Sequence, residues 1–259
     1  MRGMEKNTSV LRLTALDALR GGALWVMAAY HLGFDLHYFG LLHGDIYRNS
    51  WWIAWRSGIV SVFLFCAGMG QGMAAARGQP GARFWRRWRQ IVWCAAAVSG
   101  VSLWMFPHSW ISFGVLHGMA VMLILTRFVM RRDALRGLRL PAAALCLIVA
   151  APLSTQLLHH APRAWQALSV SRAINWIGIV AYKPVTEDFV PLLPWLGVML
   201  LGAAAARSAR VRAWAARMSR SPGRVQRVSA FFGRHSLIFY MLHQPVLFGG
   251  VWLMSRLLR

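Results

Sequence analysis

"ALDALRGGALWVMAAYHLGFDLHYFG", residues 15–40, decides the fold. A helix crosses the hydrocarbon core of a bilayer with about 20 apolar residues, and this stretch is long enough. Yet Asp17, Arg20, His31, Asp35 and His37 interrupt it. An ionisable side chain at the centre of a span costs about 2.5–3.5 kcal/mol on the insertion scale, so it persists where it is paired, hydrated or used.

Outward from this segment the same pattern repeats. The chain has 259 residues, 58% of them hydrophobic. Apolar stretches of span length alternate with short Arg-rich segments, the hydropathy pattern of a polytopic helical membrane protein. Seven spans can be drawn, at about 15–38, 54–75, 90–107, 109–129, 140–159, 188–207 and 235–256. The expectation is an all-α integral membrane helical bundle forming one domain over 1–259. Its first span has no small-residue cleavage site behind it and reads as uncleaved.

The charge follows this topology. Lys and Arg number 29 against 7 Asp and Glu, a net charge of +22. Arginines crowd segments 76–89, 127–139 and 207–234, and with Arg2, Lys6, Arg12 and Arg20 these regions hold 22 of the 29 cations. All four regions share one side if there are seven spans. By the positive-inside rule that side, and the N-terminus, is cytoplasmic. The location implied is a bacterial cytoplasmic (inner) membrane, where a basic face attracts anionic lipid. Nucleic acid is not expected as a partner, because no nucleic-acid motif accompanies the charge. No metal is expected either, since the His and Asp residues lack tight ligand spacing. Cys66, Cys94 and Cys146 lie inside spans without pairing or ligand spacing and read as small core residues. A homo-oligomer is compatible with all of this.

Two segments outside the spans stand out. Residues 160–187 carry Trp165, Trp176 and Tyr182 and suit a short interfacial helix or lid. "RSARVRAWAARMSRSPGRVQRVS", residues 207–229, reads as a basic amphipathic helix broken at Pro222–Gly223.

The polar residues of the spans point to chemistry. Arg20 and His31 are eleven residues apart and so lie on one helical face, about 16 Å apart along the axis. Asp17 can pair with Arg20 at i,i+3, and Asp35 with His31 at i,i+4. A carboxylate beside a histidine fixes its tautomer and raises its basicity, which suits a general base. His117, in "SFGVLHGMAV", and His243 with Gln244, in "SLIFYMLHQPVLFG", add candidates in later spans. Asp188 and Trp195 sit in "EDFVPLLPWLGVMLLG", whose Pro191 and Pro194 should break the helix start. His43 and Asp45 follow the first span. From the residues alone, an acyltransferase and a proton-coupled small-molecule transporter with an intramembrane His/Asp relay fit equally well; a non-catalytic membrane scaffold is the third reading.

"RLTALDALRGGALWVMAAYH", residues 12–31, resembles the membrane acyltransferases of the acyltransferase type 3 superfamily. Their motif Arg and a His eleven residues on correspond to Arg20 and His31. The closer resemblance is to bacterial proteins with a heparan-alpha-glucosaminide N-acetyltransferase catalytic-like domain. It rests on "HLGFDLHYFG", "FLFCAG", "FGVLHG", "PLLPWLGVMLLG" and "GRHSLIFYMLHQPVL", in this order, and spans residues 12–247. The resemblance implies acetyl transfer from cytosolic acetyl-CoA, the acyl donor, to a glycan or other small acceptor carrying a hydroxyl or amine at the exterior face. The catalytic candidates are His31, which occupies the superfamily position, with Asp35, His43 and His117; His43 or His37 falls nearer the position of the lysosomal enzyme's histidine. Donor-binding roles fall to Arg20, Asp17, His243, Gln244 and Trp195.

Overall fold

A computed structural model of the chain describes residues 14–44, 49–132, 135 and 137–258. Arg12, Asp45 and Arg48 lie outside the described residues. Among those described, every regular element is helical, and the single bridge between extended residues joins Phe113 to Phe189.

Each expected span is matched by a helix. The matches are α1 (Thr14–Tyr38), α2 (Ser50–Ala76), α3 (Gly81–Met105), α4 (Val115–Met130), α5 (Arg139–His159), α7 (Leu192–Arg207) and α10 (Ser236–Leu257). The remaining α-helices are α6 (Arg163–Ser169), in the segment expected to form a short interfacial helix, and α8 (Ala209–Arg220) and α9 (Arg224–Arg234); a 3₁₀ turn follows α6 at Asn175–Ile177. α8 and α9 are the basic amphipathic segment, broken where Pro222 and Gly223 predict. Three starts differ from expectation. α4 begins only at Val115 rather than near 109. α3 begins at Gly81, directly after Pro80, so its first turns carry Arg83, Arg86, Arg87 and Arg89. α7 begins late, and Leu193 keeps a non-helical backbone (φ −95°, ψ 131°) before Pro194, because a residue preceding proline is pushed out of the α region.

Three helices, α2, α5 and α10, are individually long and apolar enough to cross a membrane, and a fourth is reached only by counting α7 together with α8. α1 and α3 are long enough but not apolar enough to qualify alone, and α4 and α7 are 16 residues each.

The chain forms two compact units, Met1–Val62 with Ser208–Arg259, and Phe63–Arg207. In the first, α1 and α10 run parallel. Trp25 meets Phe239, His31 meets His243 and Tyr38 meets Phe248 in step along both helices. α9 runs antiparallel to the start of α1 at a backbone-to-backbone contact: a Cβ at Gly21 would overlap the Ser229 carbonyl, and one at Gly233 the Asp17 carbonyl. α2 enters antiparallel to α1, with Trp52 over Gly33 and Trp55 against Tyr30.

In the second unit, small residues again set the spacing, as membrane helices require when lipid and side chains are equally apolar. Gly68 and Gly72 of α2 meet the Met199 and Ala203 carbonyls of α7, and Gly202 meets Phe65, so these two helices are parallel. Gly197 meets Ala144 of α5, and Leu200 packs in a core cluster with Leu140 and Ala144, so α5 and α7 are antiparallel. Trp88 Nε1 donates to Ala120 O (2.9 Å), and Arg127 lies 4.4 Å over the Phe84 ring, so α3 and α4 are antiparallel. Arg207 donates to Leu135 O (2.9 Å) and to Met130 O (3.3 Å), at the end of α4.

Candidate functional site

The buried residues of α1 form a stripe of helical period: Asp17, Gly21, Leu24, Met27 and Asp35. Its two ends are polar and its middle is not. Leu24 is fully buried and Met27 nearly so, so the polar line from Arg20 to His31 is interrupted by an apolar collar. At the first end Arg20 Nη1 lies 3.6 Å from Asp17 Oδ1, the expected i,i+3 pair. The N–H of Ala15 donates to Ser219 Oγ of α8 (3.0 Å).

The other end carries the densest chemistry. The rings of His31 and His243 lie 5.0 Å apart, edge to face. Phe239 stacks on His243 at 6.0 Å, Tyr30 touches His31 at 5.5 Å, and Trp52 and Trp55 close the far side around Tyr30. These rings surround both imidazoles with apolar surface. Asp35 is completely buried. The expected His31–Asp35 pair does not form. Asp35 Oδ1 instead accepts a hydrogen bond from Gln244 Nε2 (2.9 Å), which ties α1 to α10.

The hydrogen-bond accounting of this cluster is incomplete, and in one direction. His243 Nδ1 is 2.7 Å from Tyr240 O. A carbonyl only accepts, so Nδ1 carries the proton and Nε2 presents its lone pair. That Nε2, Asp35 Oδ2 and Gln244 Oε1 are all buried without a hydrogen-bond partner in the protein. An unmade bond to a buried polar atom costs about 1–3 kcal/mol. With these assignments all three orphans are acceptors, so the cluster is complementary to a group that donates hydrogen bonds.

His117, in the second unit, is built differently. Its Nδ1 accepts the Gly114 N–H at the start of α4 (3.3 Å). That leaves Nε2 as N–H, facing Ser99 Oγ at 3.1 Å, and Ser99 Oγ donates to Ile111 O (2.6 Å). Beside it Asp188 Oδ2 accepts the Val115 N–H (2.7 Å). Both ring nitrogens are engaged in holding the start of α4, where helix N–H groups otherwise lack partners. Trp195 is half-buried on α7, directly after Pro194. His37 Nδ1 approaches Leu42 O (3.1 Å), and His43 is exposed in the segment after α1.

The sequence reading named His31, Asp35, His243 and Gln244 but not what organises them. Tyr240 and Phe239 precede His243 by three and four residues, the helical spacing that puts a ring on the preceding turn. That spacing is the signal that could have found them. No group of three or more His, Cys, Asp or Glu residues able to hold a metal ion occurs among the described residues.

Comparison with curated proteins gives no match. Comparison with solved structures likewise gives none. The family model described as "Heparan-alpha-glucosaminide N-acetyltransferase, catalytic" matches residues 12–245, which include every member of the α1–α10 cluster. The chain therefore belongs to that family of membrane acetyltransferases.

Proposed function

We infer that this protein moves an acetyl group from cytosolic acetyl-CoA to the amine or hydroxyl of a sugar-type acceptor on the opposite face of a bacterial cytoplasmic membrane. The observation that carries the reading is the histidine pair with three buried, unpartnered acceptor atoms beside it. An amino or hydroxyl group donates hydrogen bonds, and it must lose a proton as it attacks a thioester. His243 Nε2 takes that proton. Gln244 Oε1 and Asp35 Oδ2 hold neighbouring N–H or O–H groups of the acceptor. As the new C–N or C–O bond forms, the C–S bond breaks, and the departing thiolate takes up a proton. His243 returns to it the proton taken from the acceptor, and His31, edge-on to that ring at 5.0 Å, holds it in place.

The topology of the proposal is seven spans with the N-terminus in the cytoplasm. Helix directions support it. Counted in chain order, the seven span helices alternate, which requires α1 parallel to α10, and α2 parallel to α7. It also requires α3 antiparallel to α4 and α5 antiparallel to α7. Each of these is the direction found within its unit. The arginine bias then sets the orientation. It puts Arg20 at the cytoplasmic mouth, where a polyanionic donor arrives, and His31 in the exterior half. The thin arm of the donor must pass the Leu24–Met27 collar, an apolar surface suited to a largely uncharged chain. His117 holds the start of α4 and takes a positioning role.

The test is to incubate purified protein with acetyl-CoA and a panel of hexoses and hexosamines, following free thiol and acetylated product together. Acetylated sugar formed by the wild type, and lost in His31→Ala and His243→Asn, supports the reading. Uptake of a solute into proteoliposomes without acetyl-CoA, with no acetylated product from any acceptor, would replace it by the carrier.

A further inference from the structure

The outer faces of α8 and α9 combine two properties that a water-facing surface does not. Their inner faces are occupied: Ala215 and Ser219 of α8, and Ala230 and Gly233 of α9, are turned inward, the glycine against α1. The outer faces carry large apolar groups. Trp214 is 61% exposed, Met218 46%, Val225 81%, Val228 47% and Phe231 54%. Trp214 and Met218 are one turn apart, and Val225, Val228 and Phe231 follow at intervals of three. Each set makes a ridge along its helix. Arg210, Arg217, Arg220, Arg224 and Arg227 flank these ridges, and segment 208–234 contains no Asp or Glu.

An apolar ridge edged with arginine suits the boundary between acyl chains and headgroups. Its rings and methyls sit at the acyl boundary, and its guanidiniums reach headgroup phosphates. The sign of the charge selects the lipid. A zwitterionic surface offers no net attraction, whereas each arginine near an anionic surface adds to binding. The geometry points to a basic apolar surface, made by the outer faces of α8 and α9, that binds anionic phospholipid headgroups at the membrane surface near the start of α1 in preference to zwitterionic ones. Nothing in this assignment depends on the acetyl-transfer reading.

The test reconstitutes the full chain in phosphatidylcholine containing either brominated phosphatidylglycerol or brominated phosphatidylcholine at equal mole fraction. The fluorescence of Trp214 is isolated by subtracting the Trp214→Phe variant. Brominated phosphatidylglycerol should quench Trp214 with on the order of tenfold higher apparent affinity, given several arginines within reach of the headgroups. Substituting glutamine together at Arg210, Arg217, Arg224 and Arg227 should bring that preference to about one while leaving quenching by brominated phosphatidylcholine in place. Equal quenching by the two lipids in the wild type overturns the proposal, and this comparison stands even if the quadruple variant does not fold. Absence of quenching by either lipid also overturns it and assigns the ridge to a protein partner. Release of phosphatidylglycerol by adenosine 3′,5′-bisphosphate overturns it in favour of a soluble polyanion.

Discussion

Replacing His243 by asparagine separates the two nitrogens of its ring. The asparagine amide nitrogen takes roughly the place of Nδ1 and can still donate to Tyr240 O, the 2.7 Å bond that fixes the ring. Nothing then occupies the place of Nε2, the buried lone pair. A positioned general base contributes about 10²–10⁴-fold in rate, so kcat should fall by that factor, equivalent to about 3–5 kcal/mol. The KM for acetyl-CoA should change little, since His243 is assigned to the acceptor side. The fold should hold: the Phe239 stacking surface is lost, but the backbone-directed hydrogen bond remains. The assay is thiol release against pH, with the melting temperature measured alongside. In the wild type, kcat/KM should rise with pH along a one-proton limb as imidazolium gives up its proton. That limb should vanish in His243→Asn. His117→Asn provides the contrast. It breaks the Nε2–H bond to Ser99 Oγ and should lower the melting temperature without removing the acid limb. A His243→Asn enzyme with wild-type kcat, or one whose loss of rate tracks its loss of melting temperature, would refute the assignment.

Three other outcomes follow from the packing and the topology. Gly21→Ala drives a methyl group into the Ser229 carbonyl and should destabilise by about 1–3 kcal/mol, whereas Gly22→Ala, with nothing near it, should be neutral or gain up to about 1 kcal/mol of helix propensity; thermal melts of the pair decide. Arg207→Met removes the two charge-assisted bonds that hold Leu135 and the end of α4, and should cost about 1.5–3 kcal/mol for each bond left unreplaced, seen as earlier proteolysis of segment 131–138. After Cys66, Cys94 and Cys146 are replaced, a cysteine at position 43 should react with an impermeant maleimide on intact cells. One at position 79 should react only after permeabilisation; the reverse pattern inverts the topology.

The helices were legible because a membrane protein writes them in hydropathy. All seven expected spans are helices, and most ends agree to within a few residues. The exceptions are 109–129, where α4 starts only at Val115, and the early start of α3, whose arginine-rich turns fall below any hydropathy threshold. Helix pairing was not legible. The contacts that fix it are made by Gly21, Gly68, Gly72, Gly197, Gly202 and Gly233, and a glycine in an apolar run looks the same whether it meets a carbonyl or, as Gly22 and Gly70 do, no other part of the protein.

The polar residues show the same limit more sharply. Read as sequence, His117 and His243 are equivalent: one intramembrane imidazole each, in an apolar helix. What distinguishes them is how many nitrogens the protein consumes. The first turn of α4 has unpaired N–H groups, and His117 sits where its ring can serve them, so both nitrogens become structural. His243 sits well inside α10, where backbone N–H groups already have carbonyl partners, so only a carbonyl is within reach of its Nδ1 and the second nitrogen stays available. Asp35 misled for a related reason. Spacing of i,i+4 permits a pair with His31, but Gln244 of α10 offers an N–H donor across the helix interface at 2.9 Å, and the carboxylate is committed there. Local spacing states which partners a side chain can reach; tertiary contact decides which partner takes it. An acceptor whose N–H and O–H groups fit the three remaining lone pairs would complete the accounting that the fold leaves open.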